Sequence, residues 1–333
     1  MSKILLVLFL VLSVFSEPND LEIFERFNKF IKKYNKKYYS LNEYLSRFHN
    51  FKNNYISILK SENQSFKVGI NEFSDMTKEE FAKSHFNLKY DSTAVSQPNL
   101  FFSEKTKDAP DSLDFRDLNR VTGVKDQGMC GASWAFSVIG NLEGLYAGHY
   151  GELVTFSENE LIDCDTNDSG CNGGLMEYAF TWLKKNGIMT EADYPYSGRK
   201  GACKIDYDKI VGMTVVGFKK LGDSSSTFSC ADEEEMKEFL YTNGPLSVAL
   251  NGTPLQTYAS GIIDLPSSKC SASGINHCGV LVGYGTDSAL GLDYWIVKNH
   301  WGKTWGENGY FRIRRGNGTC GINCYVITAE VTF

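Results

Sequence analysis

The chain has 333 residues, 42% of them hydrophobic and 22% charged, with a formal net charge of -6. That is enough apolar material to bury a substantial core in two or three units. The acidic balance offers no electrostatic footprint for nucleic acid, so no nucleic-acid partner is expected.

Lys3 precedes an apolar run over 4–12, and Val14 and Ser16 suit a cleavage point. This predicts a signal peptide over 1–16. The run is too short to span a bilayer, and no later segment approaches that length, so no membrane span is expected after leader removal. Nine cysteines in a secretory context read first as disulfides. No Cys/His cluster has zinc-ligand spacing, so neither metal nor cofactor is expected. Glycosylation sequons stand at Asn63, Asn167, Asn251 and Asn317, with Pro254 weakening the third.

Phe24, Phe27, Ile31 and Tyr34 predict an amphipathic helix with Lys29, Lys32, Lys33, Lys36 and Lys37 outside. A second helical stretch carries Glu43, Arg47, Phe51, Asn54 and Ile58, with an ion pair available between Glu43 and Arg47. The polar, pattern-poor residues 89–107 suit an extended, cleavable linker. Beyond them Ala135, Val138, Ile139, Leu142, Leu145 and Tyr146 recur at helical spacing, so a buried helix should start near Ser133. Backbone N–H groups and the dipole favour negative charge at a helix N-terminus. The run QGMCGASWAF at 127–136 is therefore a good place for a nucleophile or an oxyanion. Gly173 and Gly174 would let another backbone approach closely, although alone they read as a turn. From Val211 the pattern turns to β, at Val215, Val216, 246–250, 280–284, 294–298 and 310–314.

The run QGMCGASWAF resembles the nucleophile segment of papain-family (cathepsin L-like) cysteine proteases, QGxCGSCWAF. The spacing of Glu43, Arg47, Phe51, Asn54 and Ile58 resembles the ERFNIN signature of their propeptides, with Glu62 at the last Asn position and Asn63 following. Gly69, Asn71, Phe73 and Asp75 are similar to the GxNxFxD motif. The resemblance implies an inhibitory propeptide over 17–108 that runs backwards through the cleft, and a peptidase domain over 109–333 beginning near Ala109 and Pro110. Phe115 stands where relatives usually have Trp. The implied fold is α+β and papain-like, a helical lobe and a β-rich lobe with the cleft between them.

Carried over residue by residue, the resemblance puts Gln127 on the oxyanion-hole Gln, His277 in INHCGVLVGYG on the catalytic His and Asn299 on the orienting Asn. Trp301 falls on its aromatic shield, and His300 replaces the more usual Ser. The nucleophilic Cys falls on Ser133. Gly173 and Gly174 of the GCNGGLM run would contact substrate backbone, while Met176 and Tyr325 would shape an S2 pocket for an apolar P2 side chain. Three disulfides are implied: Cys130–Cys171, Cys164–Cys203 and Cys270–Cys320. Cys230, Cys278 and Cys324 are left over, and a Cys278–Cys324 pair is one option.

A Ser hydroxyl cannot form a stable alkoxide as a thiolate can, so His277 would have to act as general base during attack, supported by an uncharged Asn. Hydrolysis is expected to be weak or lost while peptide binding is kept. The alternatives are an inactive pseudoprotease acting by binding and a silicatein-like matrix protein. Expected partners are peptide or protein substrates or ligands, the chain's own propeptide and cystatin-like inhibitors. The expected location is the secretory pathway, ending in the lysosome, an endolysosomal vacuole or outside the cell.

Overall fold

The structure is a computed structural model and describes residues 19–62, 65–88, 109–221 and 230–333. The expected signal peptide, the sequon at Asn63 and residues 89–107 of the expected linker lie outside the described residues. The chain divides into two compact units, one of residues 1–62 and 68–77, the other of 63–67 and 78–333.

In the smaller unit, helix α1 (Asp20–Lys33) starts at Asn19, whose side chain accepts the Glu22 N–H. Helix α2 (Leu41–Leu59) starts at Ser40, which accepts the Glu43 N–H. Both are ordinary N-caps. The buried stripe of α1 is Ile23, Phe27 and Phe30, packed on Phe51 and Tyr55 of α2. Phe24, expected on that face, is 40% exposed because the stripe runs through its neighbour Ile23 one turn before Phe27. The polar residues of α2 hold a turn. Arg47 and Asn50 donate to the Asp75 carbonyl, and Asn54 donates to the carbonyls of Ser74 and Met76. The Asp75 carboxylate accepts from Lys36 and Tyr38. Glu43, expected near Arg47, accepts the Tyr39 N–H.

Strand β1 (Phe66–Val68) straddles the division, and α3 (Lys78–His85), β2 (Leu113–Asp114), α4 (Ser133–Tyr150), α5 (Glu158–Cys164) and α6 (Met176–Asn186) follow. Then come β3 (Thr214–Leu221), α7 (Glu233–Asn243), β4 (Leu246–Leu250), β5 (Tyr258–Ile263), β6 (His277–Asp287), β7 (Leu292–Lys298), β8 (Tyr310–Arg314) and β9 (Val326–Thr332). The strands form one sheet in the order β1-β5-β8-β7-β6-β4-β9-β3, with β2 paired to β6. Strands β5 and β9 were not expected from the sequence. β5 carries a glycine in its interior, and β9 is placed by pairing with β3 and β4 from far along the chain.

Helix α4 is apolar on nearly every side, as a helix buried in a core must be, with Trp134, Ala135, Val138, Ile139 and Leu142 fully covered. It lies against the sheet along polar and close contacts. Ser137 Oγ donates to the Gly279 carbonyl at 2.7 Å, and Ser247 Oγ to the Ser137 carbonyl at 2.9 Å. Asn141 bridges Pro245, Thr328 and Ala329. At Gly140 a Cβ would sit 2.5 Å from Val280, so glycine sets the approach of α4 to β6.

Four disulfides close the larger unit: Cys130–Cys171, Cys164–Cys203, Cys270–Cys320 and Cys230–Cys324. The fourth corrects the Cys278–Cys324 option. Residues 230–231 run beside 323–324, with Ala231 N–H donating to the Asn323 carbonyl and Asn323 Nδ2 to the Ala231 carbonyl. That brings Cys230 to Cys324 and leaves Cys278 free and buried. Asn251 of the third sequon is buried, and its side-chain amide donates to the Ser271 carbonyl, which takes it away from a glycan.

Candidate active site

Ser133 is the first residue of α4, and no side chain caps that helix end, so its first-turn N–H groups keep their capacity for an anion. The loop before it is tied down on both sides. Cys130 is bridged to Cys171, Gly131 N–H donates to the Cys171 carbonyl, and Gln127 N–H donates to the His300 carbonyl. Gln127 Nε2 donates to the Cys130 carbonyl at 2.8 Å, while its Oε1 accepts from Trp301 Nε1 at 3.0 Å. One amide hydrogen of the expected oxyanion donor is thus used within the loop, and the amide carries a second.

The sheet supplies the rest. His277 opens β6, and Asn299 follows the last residue of β7, which pairs with β6 as Val280↔Lys298. That register brings residues 22 apart in sequence together: His277 Nε2 lies 2.9 Å from Asn299 Oδ1. Assigned from this bond, Nε2 carries the proton and Nδ1 is a bare acceptor. Trp301 flanks the imidazole, with ring centroids 4.8 Å apart. Ser133 Oγ and His277 Nδ1 are both buried and have no hydrogen-bond partner among the described residues. Burial pushes the His277 imidazole down to about 4, against the pull of Asn299 toward protonation. It is neutral at pH 7, the state a general base requires.

Behind Asn299 lies a small polar cavity lined by Lys125, Phe136, Glu143, Glu158, Lys298 and His300 among others. Lys125 bridges Glu143 at 2.7 Å and Glu158 at 2.6 Å, and Thr122 Oγ1 links Glu143 to Lys298. Burial raises Glu158 to about 7 despite Lys125, while Glu143 is held below its ordinary value because Lys125 and Lys298 outweigh its own burial. His300 stacks on Phe136 at 5.2 Å and stands 5.1 Å from the His277 ring. Burial, then the cationic forms of His277, Lys298 and His85, keep it well below the ordinary histidine range.

The cleft is occupied by the chain itself. Phe86 meets the His277 ring edge-on at 5.7 Å, and Phe81 and His85 meet Trp301 at 5.1 and 5.5 Å. Asn87 is wedged between two glycines. A Cβ at Gly131 would lie 2.0 Å from its Nδ2, and one at Gly173 would lie 1.7 Å from its carbonyl oxygen. Leu88 N–H donates to the Asn276 carbonyl at 3.3 Å, and Leu88 shares an apolar cluster with Leu175, Met176, Cys278 and Tyr325.

His277, Asn299, Trp301 and Gln127 are linked by direct contacts, Ser133 heads the helix that packs on β6, and Gly173 lies against Asn87. Gly174 packs on Asp168 and Trp134. Met176 and Tyr325 are fully buried, in the same apolar cluster as Leu88. The sequence did not reveal the Lys220–Glu177 ion pair, whose ammonium sits over the Tyr325 ring at 4.8 Å.

A His–Asn pair at the edge of a sheet, packed against a helix that opens on Ser133, with the chain's own residues 81–88 laid over the His and the Trp, is the arrangement of a papain-like precursor. Residues 109–330 match the papain family cysteine protease family, and residues 27–81 match the cathepsin propeptide inhibitor domain (I29). The chain is 39% identical to a probable cysteine protease, RD19B, of Arabidopsis thaliana, over 95% of this chain and 90% of that one. It is 40% identical to a viral cathepsin of Adoxophyes honmai nucleopolyhedrovirus, over 89% and 88%. The structure of digestive procathepsin L 3 of the Tenebrio molitor larval midgut superposes with a TM-score of 0.81 at 34% identity, covering 92% of this chain and 99% of that one. The chain belongs to the papain family of cysteine proteases, in a precursor form with a cathepsin-type propeptide.

Proposed function

We propose that this chain is a papain-like endopeptidase homologue, made as a secreted or lysosomal zymogen, that keeps a peptide-binding cleft while Ser133 leaves hydrolysis weak or lost. The observation that carries the reading is the pairing of an intact His277–Asn299 bond with a hydroxyl at the head of α4. Binding needs Gly173, Trp301 and the apolar side chains of Met176 and Tyr325; the chain's own Asn87 lies against Gly173, Phe81 and His85 meet Trp301, and Leu88 shares the apolar cluster of Met176 and Tyr325. That apolar cluster around Leu88 supports ligands with an apolar P2 side chain. Attack by Ser133 needs His277 to take the proton as the bond forms, and the uncharged Asn299 stabilises the resulting imidazolium less than an Asp would.

The test is hydrolysis of an apolar-P2 fluorogenic peptide by wild type, Ser133→Cys and Ser133→Ala, each with the pro-segment removed by an added protease. The expected result is cleavage by the Cys variant, equal silence of wild type and Ala variant, and binding of the peptide by wild type. Wild-type turnover clearly above that of Ser133→Ala would make Ser133 a working nucleophile and overturn the loss of activity. Failure of the wild type to bind would overturn the reading as a whole.

A further inference from the structure

The small cavity behind Asn299 gathers polar atoms that the fold leaves unanswered. Three side chains in its lining each carry a buried atom with no hydrogen-bond partner among the described residues: Asn299 Nδ2, Glu158 Oε2 and His300 Nε2. All three residues are at least nine-tenths buried. Lys298, also in the lining, gives one ammonium hydrogen to Thr122 Oγ1 at 2.9 Å and has others to spare. The remaining charged groups there, Lys125 and Glu143, are engaged with one another, with Glu158 Oε1, with Thr122 and with the Phe156 backbone. The space suits one water and nothing larger. Buried polar atoms are as a rule paired, by protein or by ordered water. The lining matches the hydrogen-bonding capacity of a single water. Glu158 Oε2 and His300 Nε2 take its two hydrogens, and its two lone pairs accept from Asn299 Nδ2 and Lys298 Nζ.

We propose that this cavity is the site of one bound water joining Asn299 to Glu158, His300 and Lys298, and that Glu158 and His300 act through it as positioning residues for the His277–Asn299 pair. With both hydrogens given away, the water offers Asn299 only a lone pair. The amide nitrogen then faces the cavity and Oδ1 faces His277, the orientation of the 2.9 Å bond. Turned over, the amide would set Nδ2–H against the His277 Nε2–H and Oδ1 against a lone pair. His300 is the deciding partner, because without its acceptor the second hydrogen is free to meet a turned amide. Its ring is stacked on Phe136 at 5.2 Å, and burial keeps it neutral, so Nε2 retains a lone pair when the proton is on Nδ1. The two neighbouring rings thus hold opposite tautomers, His277 with its proton on Nε2 and His300 on Nδ1. The consequence for catalysis rests on the peptidase reading above, whereas the water and its hydrogen bonds do not.

The chain has five histidines, so labelling them with nitrogen-15 in the full-length protein separates the two rings. Spectra are taken at about pH 8, above the value of about 7 to which burial raises Glu158. They should show His277 protonated on Nε2 and His300 on Nδ1. A high-resolution crystal structure of the full chain should place one water within hydrogen-bond distance of Asn299 Nδ2, Glu158 Oε2 and His300 Nε2. His300→Phe keeps a ring on Phe136 but offers no acceptor. Solvent exchange of the His277 Nε2 proton should then speed up at least about tenfold, and His300→Gln, whose amide oxygen can take the same hydrogen, should restore it. In processed Ser133→Cys chain, adding His300→Phe should lower kcat about tenfold with KM unchanged. No water at those three atoms, His300 protonated on Nε2, or an unchanged His277 proton in His300→Phe would overturn the proposal. An unaltered kcat in a cleaving Ser133→Cys chain would overturn the positioning role. If Ser133→Cys cleaves nothing, the peptidase reading falls, and the spectra and the electron density still decide the water site.

Discussion

Acidification should loosen the pro-segment through His85. This side chain is 1% exposed, stacks on Phe81 at 4.4 Å and meets Trp301 edge-on. Its cation-capable neighbours, His277 and His300, are likewise kept neutral by burial. Burial brings His85 down from 6.5 to about 4. Because the packed form has the lower value, His85 takes up a proton on release. Acid therefore favours release, beginning as the pH falls through 6.5 and levelling off below about 4. Between pH 7 and 5 this one group changes the opening equilibrium by about 20-fold, close to 2 kcal/mol. Native-state hydrogen exchange at the Leu88 amide, corrected for intrinsic rates, reads that equilibrium in the full chain. His85→Phe keeps the ring on Phe81 and Trp301 but cannot titrate, so its opening should lose about 20-fold of the pH response. An identical pH response in wild type and variant would refute the reasoning.

Asn141→Ala removes three hydrogen bonds joining α4 to Pro245, Thr328 and Ala329. With buried backbone groups left unpaired it should cost about 2–4 kcal/mol in urea unfolding, and a change below about 1 would contradict that role. At Gly173, φ is +105° and a Cβ would overlap the Asn87 carbonyl. Gly173→Ala should therefore speed exchange at the Leu88 amide at pH 7, and unchanged protection there would show that Asn87 is not held by this contact. Replacing Cys230 and Cys324 by Ala opens a closure of 94 residues. By the chain-entropy relation this should lower stability by about 4–5 kcal/mol, read from the denaturant midpoint against an unchanged Cys164–Cys203 bridge.

What the sequence determined by itself was local. The start of α4 at Ser133, the strand runs from Leu246 onward and the glycine pair at 173–174 follow from periodicity and backbone freedom over a few residues. Family resemblance added the order of Ser133, His277 and Asn299. Tertiary structure decided everything that depends on register and on which distant residues meet. The ladder between β6 and β7 sets His277 on Asn299 and so selects its tautomer. The pairing of 230–231 with 323–324 chooses the fourth disulfide and sets Cys278 free. The outward turn of Phe24 and the engaged Gln127 amide have the same origin. A side chain's neighbours across a fold are selected by packing that no short window contains.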